Sequence, residues 1–341
     1  MTMPTPRVSV GIPVYNGERY LGETIESLLA QTFTDFELVI SDNASTDRTE
    51  EICRNYCARD PRIRYSRNKE NVGGSKNYTC VFELSRAPYF KWAAHDDLCA
   101  PTFLEKCVGV LDANPAVVIC YPGSGFIDQH GTVIGNHNAG CNLRSPLPSK
   151  RVMQFLVEAH SHCFPLYGVI RRDVLEKTSL VAPYISSDQI LLLQLALLGE
   201  YYEYPEQLFF FREHPYRSVW QSNTFAGYAA WIDPSKKSSI QLPRWRLVFE
   251  FLRSIARADI QWREAKASYV AVIKWSWWNH NVMVRDLVMA MRQIAARMLG
   301  LPPIADMKSK IAVKGAAGFK EDGASDLSSA GRNTRKGTEK L

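Results

Sequence analysis

The first hundred residues alternate short apolar segments with amphipathic ones, and this alternation restricts the fold more than any other feature of the chain. Arg7–Pro13 reads as a buried strand ending in a loop, with a turn at Val14-Tyr15-Asn16-Gly17. From Glu18 to Ala30, Leu21, Ile25, Leu28 and Leu29 recur at helical spacing, because side chains three and four apart share one helix face. Phe36–Ser41 is a second strand, followed by a polar loop at Asp42–Ser45. A helix then opens at Thr46-Asp47-Arg48-Thr49-Glu50, where hydroxyl and acidic side chains suit the unpaired N–H groups of a first turn. Ile63–Ser66 is a third strand. After Asn71-Val72-Gly73-Gly74 a helix runs to about Ser85, and Tyr89–Ala93 is a fourth strand. Strands and helices in this order predict an α/β domain with a mainly parallel sheet flanked by helices.

In such sheets ligands sit at the carboxyl ends of the strands. The chemically distinctive residues fall there: Tyr15 and Asn16 after the first strand, Asp42 and Asn43 after the second, Ala94-His95-Asp96-Asp97 after the fourth. Two adjacent carboxylates at the end of a buried strand must be solvated, paired or held by a cation. Hard oxygen ligands beside an open loop suit Mg²⁺ or Mn²⁺. The other reading is a cap for the helix that follows Pro101.

Beyond Pro101 the order changes. A helix to about Ala113 leads to strand Val117–Tyr121, and residues 122–150, rich in Gly, Asn, Ser and Pro, read as an irregular excursion. Val152–Ala159 reads as helix, Leu166–Ile170 as strand, Asp188–Leu198 as a strongly apolar helix and Gln207–Arg212 as strand. From about Leu242 to Leu299 the pattern is helical and aromatic-rich. In Val282–Leu299, Met283, Leu287, Met291, Ile294 and Met298 share one side with Arg285, Arg292 and Arg297 among them. Such a helix either packs on its own domain or lies on an anionic membrane. Three regions follow: 1–220 as the α/β domain, 221–314 as a helical C-terminal region, and 315–341 as a tail whose Gly, Ser, Lys and Arg content predicts disorder.

The 46% hydrophobic and 22% charged content suits a soluble globular protein, and the net charge of +6 does not call for a nucleic-acid partner. Eight cysteines without a Cys-x-x-Cys pair argue against zinc and for reduced thiols in the cytosol. The start, Met1 to Pro6, runs straight into a strand, so no signal peptide is expected, and no run of eighteen apolar residues predicts a membrane span. No Gly-Lys-Ser/Thr loop follows the glycines at 73 and 74, and no Gly-x-Gly-x-x-Gly follows a strand. A Walker-type site and a dinucleotide oxidoreductase are both disfavoured.

Val8 to Gly17, Leu38 to Asp47, Asn71 to Asn77, His95-Asp96-Asp97 with Pro101, Ser187-Asp188-Gln189 and Phe211-Arg212-Glu213-His214 occur in one order that resembles family 2 glycosyltransferases of the GT-A fold. The resemblance covers about Arg7 to His214. It implies transfer of a sugar from a nucleotide diphosphate donor, such as a UDP- or dTDP-sugar, to a glycan or lipid-linked acceptor with inversion. It places such an enzyme in polysaccharide biosynthesis for the cell envelope, in the cytoplasm or peripherally on the inner face of the membrane. It assigns Pro13, Tyr15, Glu18, Asp42, Asn43, Gly74, Lys76 and Asp96 to the donor nucleotide, Asp96, Asp97 and His214 to a Mg²⁺ or Mn²⁺ ion, and Asp188 to the general base. An acceptor hydroxyl needs such a base because it is a poor nucleophile until its proton leaves; the other reading of Asp188 is a helix cap. Two positions depart from the family pattern: Ala94 stands where a first aspartate is usual, and Ser187 where an acid often precedes the base. They leave open a degenerate domain that binds nucleotide sugar without turnover; a nucleotidyltransferase is a further alternative.

Overall fold

The computed structural model describes residues 5–137, 141–158, 163–216, 225–236 and 240–300. The 315–341 tail expected from composition lies outside the described residues, as does the end of the 221–314 region. The N-terminal half follows the expected order: β1 (Val8–Val14), α1 (Leu21–Leu29), β2 (Phe36–Asp42), α2 (Thr49–Arg59), β3 (Ile63–Arg67), α3 (Gly74–Leu84), β4 (Tyr89–Trp92), β5 (Leu98–Cys99) and α4 (Phe103–Ala113). Next come β6 (Val117–Ile127), β7 (Val133–His137), α5 (Pro148–Glu158), a 3₁₀ turn at Phe164–Tyr167, β8 (Val169–Arg171), α6 (Arg172–Leu175), α7 (Ser187–Leu198) and β9 (Glu200–Arg212).

Among the described residues the strands form one nine-stranded sheet in the order β3-β2-β1-β4-β8-β6-β9-β5, with β7 paired to β6. It is parallel from β3 through β4, then mixed: β8 is antiparallel to both β4 and β6, while β6 and β9 run parallel. Every residue of β1 and β2 is buried, as expected for strands covered on both faces.

The structure departs from the sequence reading in its strands. Strand β6 does not end at Tyr121; it continues through Pro122-Gly123-Ser124-Gly125 to Ile127 and turns back as β7. These residues look like loop formers, yet a Cβ on Gly125 would stand 3.0 Å from the Phe210 ring, so the glycine is what lets β9 close on β6. The expected strand at Leu166–Ile170 is split, its first half being the 3₁₀ turn.

Helix α7, expected from its strongly apolar sequence, is covered on more than one side. Ile190 to Leu193, Leu195 and Leu197 share a core cluster with β4 and β6 residues on one side. On the other are Leu247, Phe251 and Ile255 of helix Pro243–Arg257 and Ala271, Val272 and Trp275 of helix Trp262–Trp278. Each such buried side chain contributes about 1.5–3 kcal/mol. The C-terminal helices are thus an outer layer of the same core. This cover fixes α7, and with it the position of Asp188 in its first turn.

Candidate active site

The carboxyl ends of β1, β2 and β4 and the starts of α3 and α7 surround a cavity of about 600 Å³, within the range of small-molecule sites. Of the residues expected to hold a donor, Pro13, Tyr15, Asn43, Gly74 and Asp96 line it, and Asp97 and Asp188 do too. Residues distant in sequence therefore meet in one place.

Glu18, Asp42 and Lys76 do not line the cavity. Asp42 is fully buried, and its carboxylate accepts from the Ser45 N–H at 2.8 Å, the Tyr65 hydroxyl at 2.7 Å and Arg67 Nη1 at 2.5 Å. Burial raises its pKa, but these hydrogen bonds outweigh burial and hold it below the usual value. Its neighbour Asn43 is the polar group presented to the cavity. Asn43 Oδ1 accepts from Val72 N–H at 2.9 Å and Asn68 Nδ2 at 3.1 Å, and its Nδ2 donates to Asn71 Oδ1 at 2.8 Å. Glu18 accepts instead from the Arg48 N–H at 3.1 Å, tying the loops after β1 and β2 together. Lys76 points outward on an exposed face of α3.

The two glycines before α3 also differ from expectation. Gly73 has φ of +87°, and a Cβ there would stand 2.6 Å from the Ile232 carbonyl oxygen; a Cβ on Gly74 would meet the Trp231 ring at 3.1 Å. The close neighbour these glycines permit is helix Phe225–Ile232, whose Tyr228 and Trp231 rings stack nearly parallel and form a wall of the cavity.

The acidic turn is clamped from β9. The Arg212 N–H donates to Asp97 Oδ1 at 2.9 Å, and its buried guanidinium donates to the Asp96 carbonyl at 2.8 Å and to Glu23 at 2.7 Å. His214 Nε2 lies 3.0 Å from Asp96 Oδ2, and the buried His214 Nδ1 has no hydrogen-bond partner among the described residues. Asp97 is 5% exposed and engaged with the β9 backbone. Asp96, with its side chain 16% exposed, is the carboxylate better placed to meet a ligand. No group of three His, Cys, Asp or Glu residues able to hold a metal occurs among the described residues. Asp96 and His214 together fit an ion whose remaining positions are filled by substrate oxygens and water, which is how Mg²⁺ is usually held. His95, beside them, packs over Gly17.

Across the cavity, Ser186 precedes α7 in a left-handed conformation, φ 65°, and Asp188 follows in the first helical turn. Its Oδ1 accepts from the Gln189 N–H at 2.9 Å, so the carboxylate does help to satisfy the helix start while lining the cavity. No local pattern announces what lies between the acids. The Tyr78 hydroxyl is pushed up to about 12 by burial and by Asp96, Asp97 and Asp188, with its hydrogen-bonding neighbour Tyr167 acting the other way. Burial also raises Tyr167. Both phenols stay protonated and can donate. The Cys163 thiol is raised by burial and by Asp188, so it stays a neutral lining group. No motif marks these residues; their placement depends on β4, β8 and α3 being neighbours.

The sequence model for glycosyl transferase family 2 matches residues 9–179, half of the chain. Among curated relatives, an uncharacterized glycosyltransferase of Rickettsia prowazekii is 37% identical over 126 residues, 37% of this chain and 38% of that one. Chondroitin synthase of Escherichia coli is 35% identical over 131 residues, 38% of this chain and 19% of that one. The matched stretch spans less than half the length of each of these relatives. Among solved structures, residues 1–349 of S. aureus TarS superpose with a TM-score of 0.58 at 16% identity, covering 80% of this chain and 72% of that one. The fold, the ordered strand-end loops and the family match agree: the chain belongs to glycosyl transferase family 2 and has the GT-A fold.

Proposed function

We propose that the protein transfers a sugar from a nucleotide diphosphate donor to an acceptor hydroxyl with inversion, using Asp188 as general base. The observation that carries this reading is the meeting of Asp96, backed by His214, with Asp188 in one cavity, the two acids approaching from different elements. TarS, whose fold is similar, has been crystallised with UDP and with UDP-GlcNAc.

In this reading Tyr15 and Asn43 bound the nucleoside end, Asn68 and Asn71 hold the Asn43 side chain in place, and Asp96 with His214 would hold Mg²⁺ or Mn²⁺. The ion, when bound, neutralises charge on the departing diphosphate. Asp188 takes the proton of the acceptor hydroxyl as that oxygen attacks the anomeric carbon from the face opposite the leaving group. Tyr78 and Tyr167, protonated, donate toward oxygens between the acids, and Trp231 with Tyr228 offers an apolar face of the kind sugar rings stack on. Apart from Tyr228 and Trp231, these groups come from the first 220 residues, and helices Pro243–Arg257 and Trp262–Trp278 buttress α7. Ala94 removes one acid of the usual motif, and Asp96 then bears the ion alone on that turn. Eight free thiols suit a reducing cytosol. The acceptor is a glycan or lipid-linked saccharide of the cell envelope.

The test is a thermal-shift screen of UDP-, dTDP- and GDP-sugars with and without Mn²⁺, followed by transfer assays on Asp188→Asn. The reading expects a donor whose stabilisation grows with Mn²⁺, and a variant that binds it normally but does not transfer. Normal transfer by Asp188→Asn refutes the base assignment. Donor binding without turnover over a broad acceptor panel favours a domain that only binds.

A further inference from the structure

Fourteen of the twenty-two large hydrophobic side chains exposed among the described residues lie between Trp245 and Leu299. Residues 240–300 also carry ten Lys and Arg against four Asp and Glu, a net charge of +6 that equals the formal charge of the whole chain. Two of the four acids are turned inward: Asp286 is 8% exposed and accepts from the Arg244 N–H, and the Glu250 side chain is 14% exposed. The surface that remains is cationic and apolar together.

The helix His280–Met298 shows how the two are arranged. Met283, Asp286 and Ala290 face the protein. Val284, Leu287, Val288, Met291, Ile294 and Met298, at steps of one, three or four, form a continuous stripe on the solvent side. Arg285 and Arg292, seven apart, flank that stripe. On helix Trp262–Trp278, Ile273 and Trp277 are 61% and 75% exposed, with Lys266 and Lys274 on the same face. Met283, read from the sequence as part of the outer stripe, is in fact its inner boundary.

We propose that this face docks on an anionic lipid bilayer. No helix among the described residues is long and apolar enough to cross a membrane, so these helices lie on the surface. Trp277 and Trp278 suit the headgroup level, where an amphipathic ring meets both phases. The arginines and lysines beside the stripe carry aliphatic stems that enter the interface while their charges meet lipid phosphates. Charge also decides against a second copy of the chain as occupant. The core of a protein–protein interface is depleted of charge, and two copies would bring like-charged faces together.

The experiment is co-sedimentation of the full chain with vesicles of phosphatidylcholine alone and of phosphatidylcholine mixed with phosphatidylglycerol. The proposal expects binding to the anionic vesicles only, weakened by salt because exposed charges are screened. Arg285→Glu with Arg292→Glu is expected to weaken it at least about ten-fold. Val288→Ser with Met291→Ser is expected to weaken it comparably, with an unchanged unfolding midpoint because both side chains already face solvent. Absence of binding to anionic vesicles, or binding that neither pair of substitutions alters, overturns the proposal. So does a wild-type dimer in light scattering that Val288→Ser with Met291→Ser dissociates, which assigns the face to a second copy.

Discussion

Replacing Arg212 with methionine is expected to destabilise the fold and to loosen only one of the two acids in the turn after β4. The Nε–H donation to the Asp96 carbonyl, 2.8 Å, is charge-assisted and buried, and its loss costs about 1.5–3 kcal/mol. The ion pair with Glu23 adds only about 0–1 kcal/mol, because 56% of the Glu23 side chain is exposed and water replaces the arginine. The guanidinium lies 4.7 Å from the Tyr20 ring centroid, which contributes about 0.5–2 kcal/mol. Methionine recovers part of this by removing a buried charge and filling the channel with an apolar chain. The net loss expected is roughly 2–3 kcal/mol, read as a lower urea midpoint at unchanged slope. The substitution leaves the residue 212 N–H on Asp97 Oδ1, so Asp97 stays in place while Asp96 loses its main-chain anchor. Under the proposed function, Mn²⁺-dependent UDP binding by calorimetry weakens while metal-independent binding does not. A variant within about 0.5 kcal/mol of the parent, binding nucleotide as before, refutes the idea that Arg212 sets the turn.

Three further outcomes can be checked. Gly73→Ala forces a side chain into the left-handed region and against the Ile232 carbonyl. It is expected to cost about 1–3 kcal/mol and to open helix Phe225–Ile232 to limited proteolysis; unchanged stability and cleavage would contradict that packing. Asp42 has a pKa lowered in the folded state, so its stabilising contribution is complete above the unfolded carboxylate range and fades as pH falls through the folded value. Asp42→Asn is therefore expected to flatten the acid limb of stability below about pH 4, and an unaltered limb counts against the Tyr65–Arg67 clamp. Under the proposed function, His214→Gln is expected to lower the affinity gained on adding Mn²⁺ without changing nucleotide affinity in its absence, measured by titration with and without chelator.

The parts of the fold that could be read in the sequence are those specified by short-range pattern. Leu21, Ile25 and Leu28 on α1 and the apolar runs of β1 and β2 announce themselves by periodicity, and the acidic turn by following a strand. Long-range pairing hid the rest. Pro122 to Gly125 have loop composition and become strand because β9 lies against them. Asp42 has the look of a ligand group at a strand end, and only the positions of Tyr65 and Arg67 on the neighbouring strand β3 reveal that its carboxylate is already engaged. The glycines at 73 and 74 signal close approach without naming the neighbour, which is Trp231, more than 150 residues later in the chain. For the site, Asp96, His214 and Asp188 came from ordered motifs, whereas Tyr78, Tyr167 and Arg212 had no local signature.

The strand β5 has a consequence for how the protein comes into being. It directly follows the acidic turn, yet it lies at the far edge of the sheet, where Leu98 and Cys99 pair with Phe210 and Phe209 of β9. The turn therefore bridges the middle of the sheet to its border; α1 holds it through Thr24 and the Asp97 carbonyl, but its strand partner comes more than a hundred residues later. Closing a loop of more than a hundred residues is slow compared with forming the βα units before it. In a refolding experiment, helix and strand content should return ahead of the nucleotide binding that the proposed function expects. On the ribosome, Asp96 would wait for β9 to leave the exit tunnel before it found its place.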